Sequence, residues 1–261
     1  MSDAEPAPID AAHADIGIVS ALPMELGGFL DRCDRVRKYS GQDFVFRGGL
    51  YDRIRVVVAQ SGMGFSRARR ATQALLDAHS PAWVLSCGFS GGLAPEVKIG
   101  DIVMANSIVD SHGQELTIDL HLPGEPKPGL HVGRIVTADE MVRHIDEKKA
   151  LAARLGAIAV DMESLAVAQV CRERNTRFLA VRVITDDLSA DLPPEILSLV
   201  GSTGTMRFGA AIGAAWKRPG SIKEMWKLRE MARTAAGRLA DFLDGVVRQL
   251  YNAIPKDAPR E

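Results

Sequence analysis

The sequence predicts an α/β domain built around a largely parallel or mixed sheet. Three observations point there. Apolar runs of strand length alternate with segments of helical period along most of the chain. The strand runs are apolar throughout, as happens when helices cover both faces of a sheet. With 261 residues and 46% hydrophobic content, the chain can bury a sizeable core.

Each element follows in order. Ile16–Ala21 (IGIVSA) reads as a buried strand, and Pro23 to Leu30 as a helix start with Pro early and Glu25 in its first turn. Phe44–Arg47 and Ile54–Gln60 read as a strand pair around a turn at Gly48–Arg53. Arg67–His79 carries Ala68, Ala71, Ala74, Leu75 and Leu76 at helical spacing, and Pro81 stops it. Trp83–Cys87 is a strand followed by the glycine-rich Gly88–Leu93, and Asp101–Ala105 is strand-like. His112–Leu130, with Pro123, Pro126 and Pro128, reads as a loop or excursion. Gly133–Thr137 is a strand, Lys148–Leu155 a short helix, Met162–Arg174 a longer one, and Phe178–Thr185 a continuous buried strand. Ile222–Tyr251 is a long helix or a broken pair. A single domain over residues 15–254 is expected, between a floppy lead (1–14) and a tail (255–261).

Composition narrows the function. Lys plus Arg total 32 against 33 for Asp plus Glu, a net charge of -1, without the basic excess of a nucleic-acid binder. Cys33, Cys87 and Cys171 form no CxxC and are odd in number, which argues against a disulfide framework or zinc knuckle. The histidines lack metal-ligand spacing. Nothing approaches the roughly 18 unbroken apolar residues of a membrane span, and the N-terminus has no signal-peptide pattern. A soluble cytoplasmic protein is the expectation.

Four segments concentrate chemistry-bearing residues. Ser61-Gly62-Met63-Gly64-Phe65-Ser66-Arg67 lies where a dinucleotide-binding turn would, but Arg67 takes the place of the third glycine. A tight turn or an anion site remains. Gly88–Leu93 (GFSGGL) either lets backbone amides approach a ligand or is a structural bend. Asp161-Met162-Glu163 opens a helix, where carboxylates serve as dipole partners or as ligand contacts. In Val181–Asp187 (VRVITDD), an Arg within a buried strand and two Asp at its end are costly unless paired or used. Such strand ends are where α/β proteins place ligands. No GxSxG elbow surrounds Ser61 or Ser90, and Cys87 reads as a small buried hydrophobe.

Together these segments resemble the nucleoside phosphorylase/nucleosidase superfamily, and most of all its bacterial 5′-methylthioadenosine/S-adenosylhomocysteine nucleosidases. The likeness runs in order through IGIVSALPMEL (16–26), SGMG (61–64), GFSGGLAPEVKIGD (88–101), AVDMESLAVAQVC (159–171) and VRVITD (181–186). It implies a three-layer α/β sandwich, a twisted mixed β-sheet flanked by helices. It also implies a catalytic set. Asp186 would protonate or hydrogen-bond purine N7, and Glu25 would activate water with help from Arg182. Glu163 would accept the ribose hydroxyls, and Met162 would pack on the sugar. Met141 and Val142 would hold the base through backbone groups, with Phe89, Ser90, Gly91 and Asp161 completing the substrate-binding set. Neither a metal nor another cofactor is implied. Separating positive charge on the sugar from negative charge on the base suits carboxylates near one and a proton donor near the other.

Two departures stand out. Phe89 replaces a small hydroxyl residue, and a phenyl ring cannot hydrogen-bond water or phosphate. A segment at Gly201–Ser221, which the compact nucleosidases lack, begins a basic stretch from Arg207 to Arg238. It includes Lys217, Arg218, Lys223, Lys227, Arg229 and Arg233 with Phe208, Trp216, Met225 and Trp226. This stretch reads as a solvated helix face, a lid over a bulky 5′ substituent or a membrane-surface dock, and locally resembles the superfamily's hopanoid-associated branch. The expected activity is hydrolysis of a 5′-substituted adenosine-type nucleoside. Phosphorolysis and a non-catalytic nucleoside-binding role are the alternatives, and a 6-oxopurine base stays open. The resemblance implies a homodimer or larger homo-oligomer.

Overall fold

The strand and helix periodicities of the sequence resolve into ten strands and five helices in the computed structural model, which describes residues 13–119, 127–193 and 219–255. Most of the expected lead and tail lies outside the described residues. So do Arg207, Phe208, Trp216, Lys217 and Arg218, and the side chains of Lys223, Met225, Trp226 and Lys227. The strands are β1 (Ile16–Ser20), β2 (Asp34–Gly41), β3 (Phe44–Tyr51), β4 (Ile54–Gln60), β5 (Trp83–Gly92), β6 (Ile102–Asp110), β7 (Glu115–Thr117), β8 (Leu130–Thr137), β9 (Ala159–Asp161) and β10 (Arg177–Asp186). The helices are α1 (Gly27–Leu30), α2 (Phe65–His79), α3 (Ile145–Leu155), α4 (Ser164–Glu173) and α5 (Pro219–Asn252).

All ten strands join one mixed sheet. β1 lies parallel to β4 and β5, and β5 lies parallel to β10. β10 runs antiparallel to β6, β6 parallel to β8, β8 parallel to β9, and β9 antiparallel to β5. The pairing therefore returns to its start, and these five strands form a closed ring with β1, β4, β3 and β2 extending from β5.

Burial on both faces explains the unbroken apolar runs. In β1, Ile16 and Ile18 face one core with Val56, Val58, Leu85 and Val181, against Phe29 of α1 and Leu239, Leu243 and Val247 of α5. Val19 faces the other, with Val57, Ala59 and Val84, against Ala71 and Leu75 of α2 and Val167 and Val170 of α4. The period-two alternation within one run is the pleat dividing side chains between two helical layers. Helix, sheet and helix make the three layers. Cys87 is 1% exposed in the first core, where burial pushes its thiol up to about 12. No helix among the described residues is long and apolar enough to cross a membrane.

Several boundaries differ from the sequence-based expectation. β3 runs on through Gly48 and Gly49 to Tyr51, and the turn is Asp52-Arg53, both at positive φ (48° and 70°). β2 lay hidden because its residues, DRVRKYSG, are charged and almost wholly exposed, as suits an edge strand protected from further pairing. A three-residue strand, β7, falls within the expected loop. α1 begins only at Gly27, so Glu25 sits in the turn before it. β5 continues through Gly92, making the glycine segment a strand rather than a bend or loop. α5 is one helix, not a broken pair.

Candidate active site

Glu25 lies just past the end of β1, and its turn is closed by its own carboxylate. Oε2 accepts hydrogen bonds from the Leu22 amide (2.7 Å) and the Ser20 hydroxyl (2.7 Å). Oε1 accepts one from the Phe89 amide (3.0 Å) on β5. A Cβ on Gly88 would stand 2.7 Å from Oε1, so the glycine opens β5 to the carboxylate. Burial raises the Glu25 pKa; the bonds from Phe89, Leu22 and Ser20 and the charge of Arg182 oppose that rise. The missing hydroxyl at Phe89 is thus separate from its backbone contribution, which is direct. Ser90 does not replace the hydroxyl freely, because its own proton goes to the Val160 carbonyl at 2.8 Å.

The Asp161-Met162-Glu163 turn divides its two carboxylates between framework and cleft. Asp161 Oδ1 accepts from the Thr137 hydroxyl (2.8 Å) and the amides of Glu163 and Ser164, which opens α4. Its Oδ2 accepts from Arg182 Nε at 2.7 Å. Arg182 also donates to the Ser86 hydroxyl at 2.7 Å and is 2% exposed. One expectation changes here. Arg182 does not line the cleft; it is a buried ion pair whose charge reaches Glu25 from behind. Asp161 lines the cleft, and protein donors reach both of its carboxylate oxygens, so it also anchors the site's framework.

Glu163 turns the other way. Its Oε1 accepts from the Gly64 amide at 2.7 Å, so SGMG is a tight turn that also grips a site carboxylate. Gly62 and Gly64 adopt positive φ (77° and 98°), and Arg67 folds back to bond the Ser61 carbonyl in the space a Cβ on Gly62 would fill. Burial, then the charge of Asp161, push the Glu163 pKa up to about 7 against the pull of Arg182 and the Gly64 amide.

Asp186 ends β10. Its Oδ1 accepts from the Thr185 hydroxyl at 3.0 Å, and its Oδ2 pairs with Lys148 of α3. Burial raises its pKa, Lys148 and Thr185 lower it, and Asp187 adds a smaller rise. Burial wins. The opposing cation is Lys148 of α3, not Arg182 of its own strand. Asp187 differs: burial raises its pKa too, but hydrogen bonds from Ser189 and the charge of Lys98 bring it below the ordinary value.

One cleft gathers these groups. It is lined by Glu25, Glu163 and Asp186 together with Phe89, Ser90, Gly91, Met141, Val142, Asp161 and Met162. Leu22, Met63, Glu140, Thr185 and Leu192 also line it and were not foreseen. Lys148 was missed as well, although positions 148, 151 and 155 give a helical stripe in which a lysine stands among leucines. No group of three metal-ligating side chains is placed to hold an ion among the described residues.

The model of the phosphorylase superfamily matches residues 15–129 and 122–198. The chain belongs to the phosphorylase superfamily. Within that superfamily it is 29% identical over 206 residues to a protein of Marinomonas sp. (strain MWYL1) named 5′-methylthioadenosine/S-adenosylhomocysteine nucleosidase, covering 68% of this chain and 88% of the relative. A protein of the same name from Mycobacterium bovis is 25% identical over 231 residues, covering 71% and 91%. Two solved structures share the fold. The Helicobacter pylori 5′-methylthioadenosine/S-adenosylhomocysteine nucleosidase with butyl-thio-DADMe-Immucillin-A aligns at TM-score 0.66 and 21% identity, over 91% of this chain and 99% of its own. The futalosine hydrolase of Helicobacter pylori aligns at 0.64 and 20%, over 90% and 97%.

Proposed function

We propose that the protein is a nucleosidase that hydrolyses the N-ribosidic bond of a 5′-substituted adenosine-type nucleoside to free base and sugar. The observation that carries this reading is the charge of the cleft lining. Glu25, Glu140, Asp161, Glu163 and Asp186 line it, and no Lys or Arg does among the described residues. Phosphate needs cationic or amide partners close to the sugar. A carboxylate such as Glu25 repels phosphate and suits a water molecule. The relatives named above as nucleosidases agree with this choice.

In this reading Glu25 takes a proton from the water that adds to C1′. The C1′–N9 bond breaks with its electron pair leaving on the base, and Asp186 gives a proton to purine N7. Glu163 accepts the ribose hydroxyls while Met162 packs on the sugar. Met141 and Val142 hold the base at the cleft edge. Arg182 and Asp161 fix the framework behind Glu25 and Glu163. We further propose a cytoplasmic homo-oligomer, as the superfamily resemblance implies; light scattering tests the oligomeric state. The exposed Arg233 and Arg238 of α5 are solvated, the simplest role for that part of the basic stretch.

The deciding experiment mixes the protein with 5′-methylthioadenosine, with and without phosphate. Free adenine in phosphate-free buffer is expected. Release only with phosphate would make the protein a phosphorylase, and binding without release would make it a non-catalytic binder.

A further inference from the structure

Lys148 is a fully buried lysine with no place in the chemistry described so far. It lies on the inner face of α3 beside Leu151 and Leu155, at 0% exposure. An ammonium taken out of water costs several kcal/mol unless its protons are bonded and its charge is met. Two acceptors meet this one, Oδ2 of Asp186 and the Asp187 carbonyl at 3.2 Å. Both belong to the strand end that closes the cleft. Against the same oxygen, a Cβ on Gly91 of β5 would stand 3.0 Å from Oδ2 and 3.6 Å from Lys148 Cε. Oδ2 is therefore enclosed by α3 and β5 together, a clamp on that one oxygen.

The clamp distinguishes its two oxygens. Oδ2 faces an ammonium, which only donates, so a proton on that oxygen would oppose the ion pair. Oδ1 is bonded to the Thr185 hydroxyl, and that hydroxyl has a second acceptor, the Ser90 carbonyl at 3.4 Å. When Oδ1 carries a proton, Thr185 can turn its own toward Ser90. Oδ1 is thus the oxygen able to hold and release a proton.

We propose that Lys148 is a positioning residue for the reaction: it pins Oδ2 of Asp186, leaves the transferable proton on Oδ1, and stabilises the carboxylate formed when that proton passes to the leaving base. This rests on the nucleosidase reading given above. The step balances, since the base gains the proton and the bonding pair of the broken C1′–N9 bond. Asp186 gains the negative charge, which the Lys148 ammonium meets without itself transferring a proton. The charged groups bearing on Asp186 are Lys148 from α3 and Asp187 from its own strand, while Glu25, Glu140, Asp161 and Glu163 line the same cleft. Lys148 is the cation paired with it.

The test uses Lys148→Met, which keeps the unbranched shape and removes the charge, with circular dichroism to confirm folding. Two readouts follow: the pH dependence of kcat and KM, and the ¹³C carboxyl titration of Asp186 in the free protein. Without the cation the carboxylate is less stable, so Asp186 should hold its proton to higher pH. The expected result is kcat at least about tenfold lower with KM within about twofold. The alkaline limb and the carboxyl titration should both move up by about one pH unit or more. Lys148→Arg should return the limb toward its original position. A folded Lys148→Met protein whose limb and titration stay where the parent has them, or whose loss lies wholly in KM, overturns the proposal. If Lys148→Met does not fold, Lys148→Gln takes its place as the uncharged variant, and a limb and titration that stay where the parent has them overturn the proposal. Should the parent cleave no nucleoside, the nucleosidase reading fails by itself. The carboxyl titration then still reports whether Lys148 governs Asp186.

Discussion

Gly88 and Glu25 occupy complementary space: the hydrogen in place of a side chain on Gly88 is what lets the Glu25 carboxylate reach the Phe89 amide. Gly88→Ala would bring a methyl group to 2.7 Å from Oε1 and 3.0 Å from the carboxyl carbon. The carboxylate must then leave its three donors. Turnover should fall by about 10²-fold or more, and the overpacking should cost about 1–3 kcal/mol of stability. Steady-state kinetics beside a thermal melt separate the two. Activity within a few-fold of the parent would mean the cradle is dispensable.

Glu25→Gln should remove most turnover while leaving inhibitor binding largely intact, because the amide keeps the size but cannot take a proton from water. It also sets an NH₂ against either the Leu22 amide or the Phe89 amide, a donor facing a donor. A loss of about 1–3 kcal/mol in stability is expected with it. Calorimetric titration with a transition-state analogue checks binding, and turnover within a few-fold of the parent would remove Glu25 as the base.

Asp186→Asn keeps the shape and loses the transferable proton. An unperturbed Asp protonated at pH 7 would cost about 4 kcal/mol, at about 1.36 kcal/mol per unit. The burial of Asp186 lessens that cost. Turnover should drop by about 10²- to 10⁴-fold with the fold preserved. Asp187→Asn should cost far less, since that carboxylate is engaged in a turn with Ser189. The opposite ranking in kinetic assays would mean that Asp187 is the acid.

Glu163 gives a pH dependence of stability with a defined sign. Its folded pKa, about 7, lies above its ordinary value of 4.5. Below 4.5 both folded and unfolded forms carry the proton. Between 4.5 and about 7 the native state holds a proton the unfolded chain has lost, so stability falls as pH rises across that window. Melts of the parent and Glu163→Gln from pH 4 to 8 should diverge there, with the variant relatively more stable at the upper end. Parallel curves would remove Glu163 as the source.

The α/β class was legible because it rests on patterns local in sequence, whereas the three layers and the set of cleft residues came from the resemblance to the superfamily. Ile16 to Ser20 declares a two-sided strand by its apolar run, and Pro81 marks a helix end. What escaped depends on partners far along the chain. Gly48 and Gly49 look like a turn until Val56 and Val57 pair with them. Asp34–Gly41 has no apolar pattern because its surroundings are water. Gly88 looks like a ligand loop, and only the carboxylate of Glu25 explains it. Lys148 went unnoticed as the partner of Asp186, because residue type tells that a buried charge needs a counter-ion but not which distant element delivers it.

The closed ring of strands also bears on how activity is acquired. β5 lies against β10 with Trp83 beside Arg177, and the same strand meets β9 and β1. Glu25, Glu163 and Asp186 come from turns and strand ends that meet only after these distant pairings form. Pairings so far apart along a chain make folding slow, since loop-closure entropy is spent before contacts repay it. No early hairpin or helix pair brings the three carboxyl groups into one place. Activity is therefore expected to return in refolding only once these distant pairings have formed, later than secondary structure does.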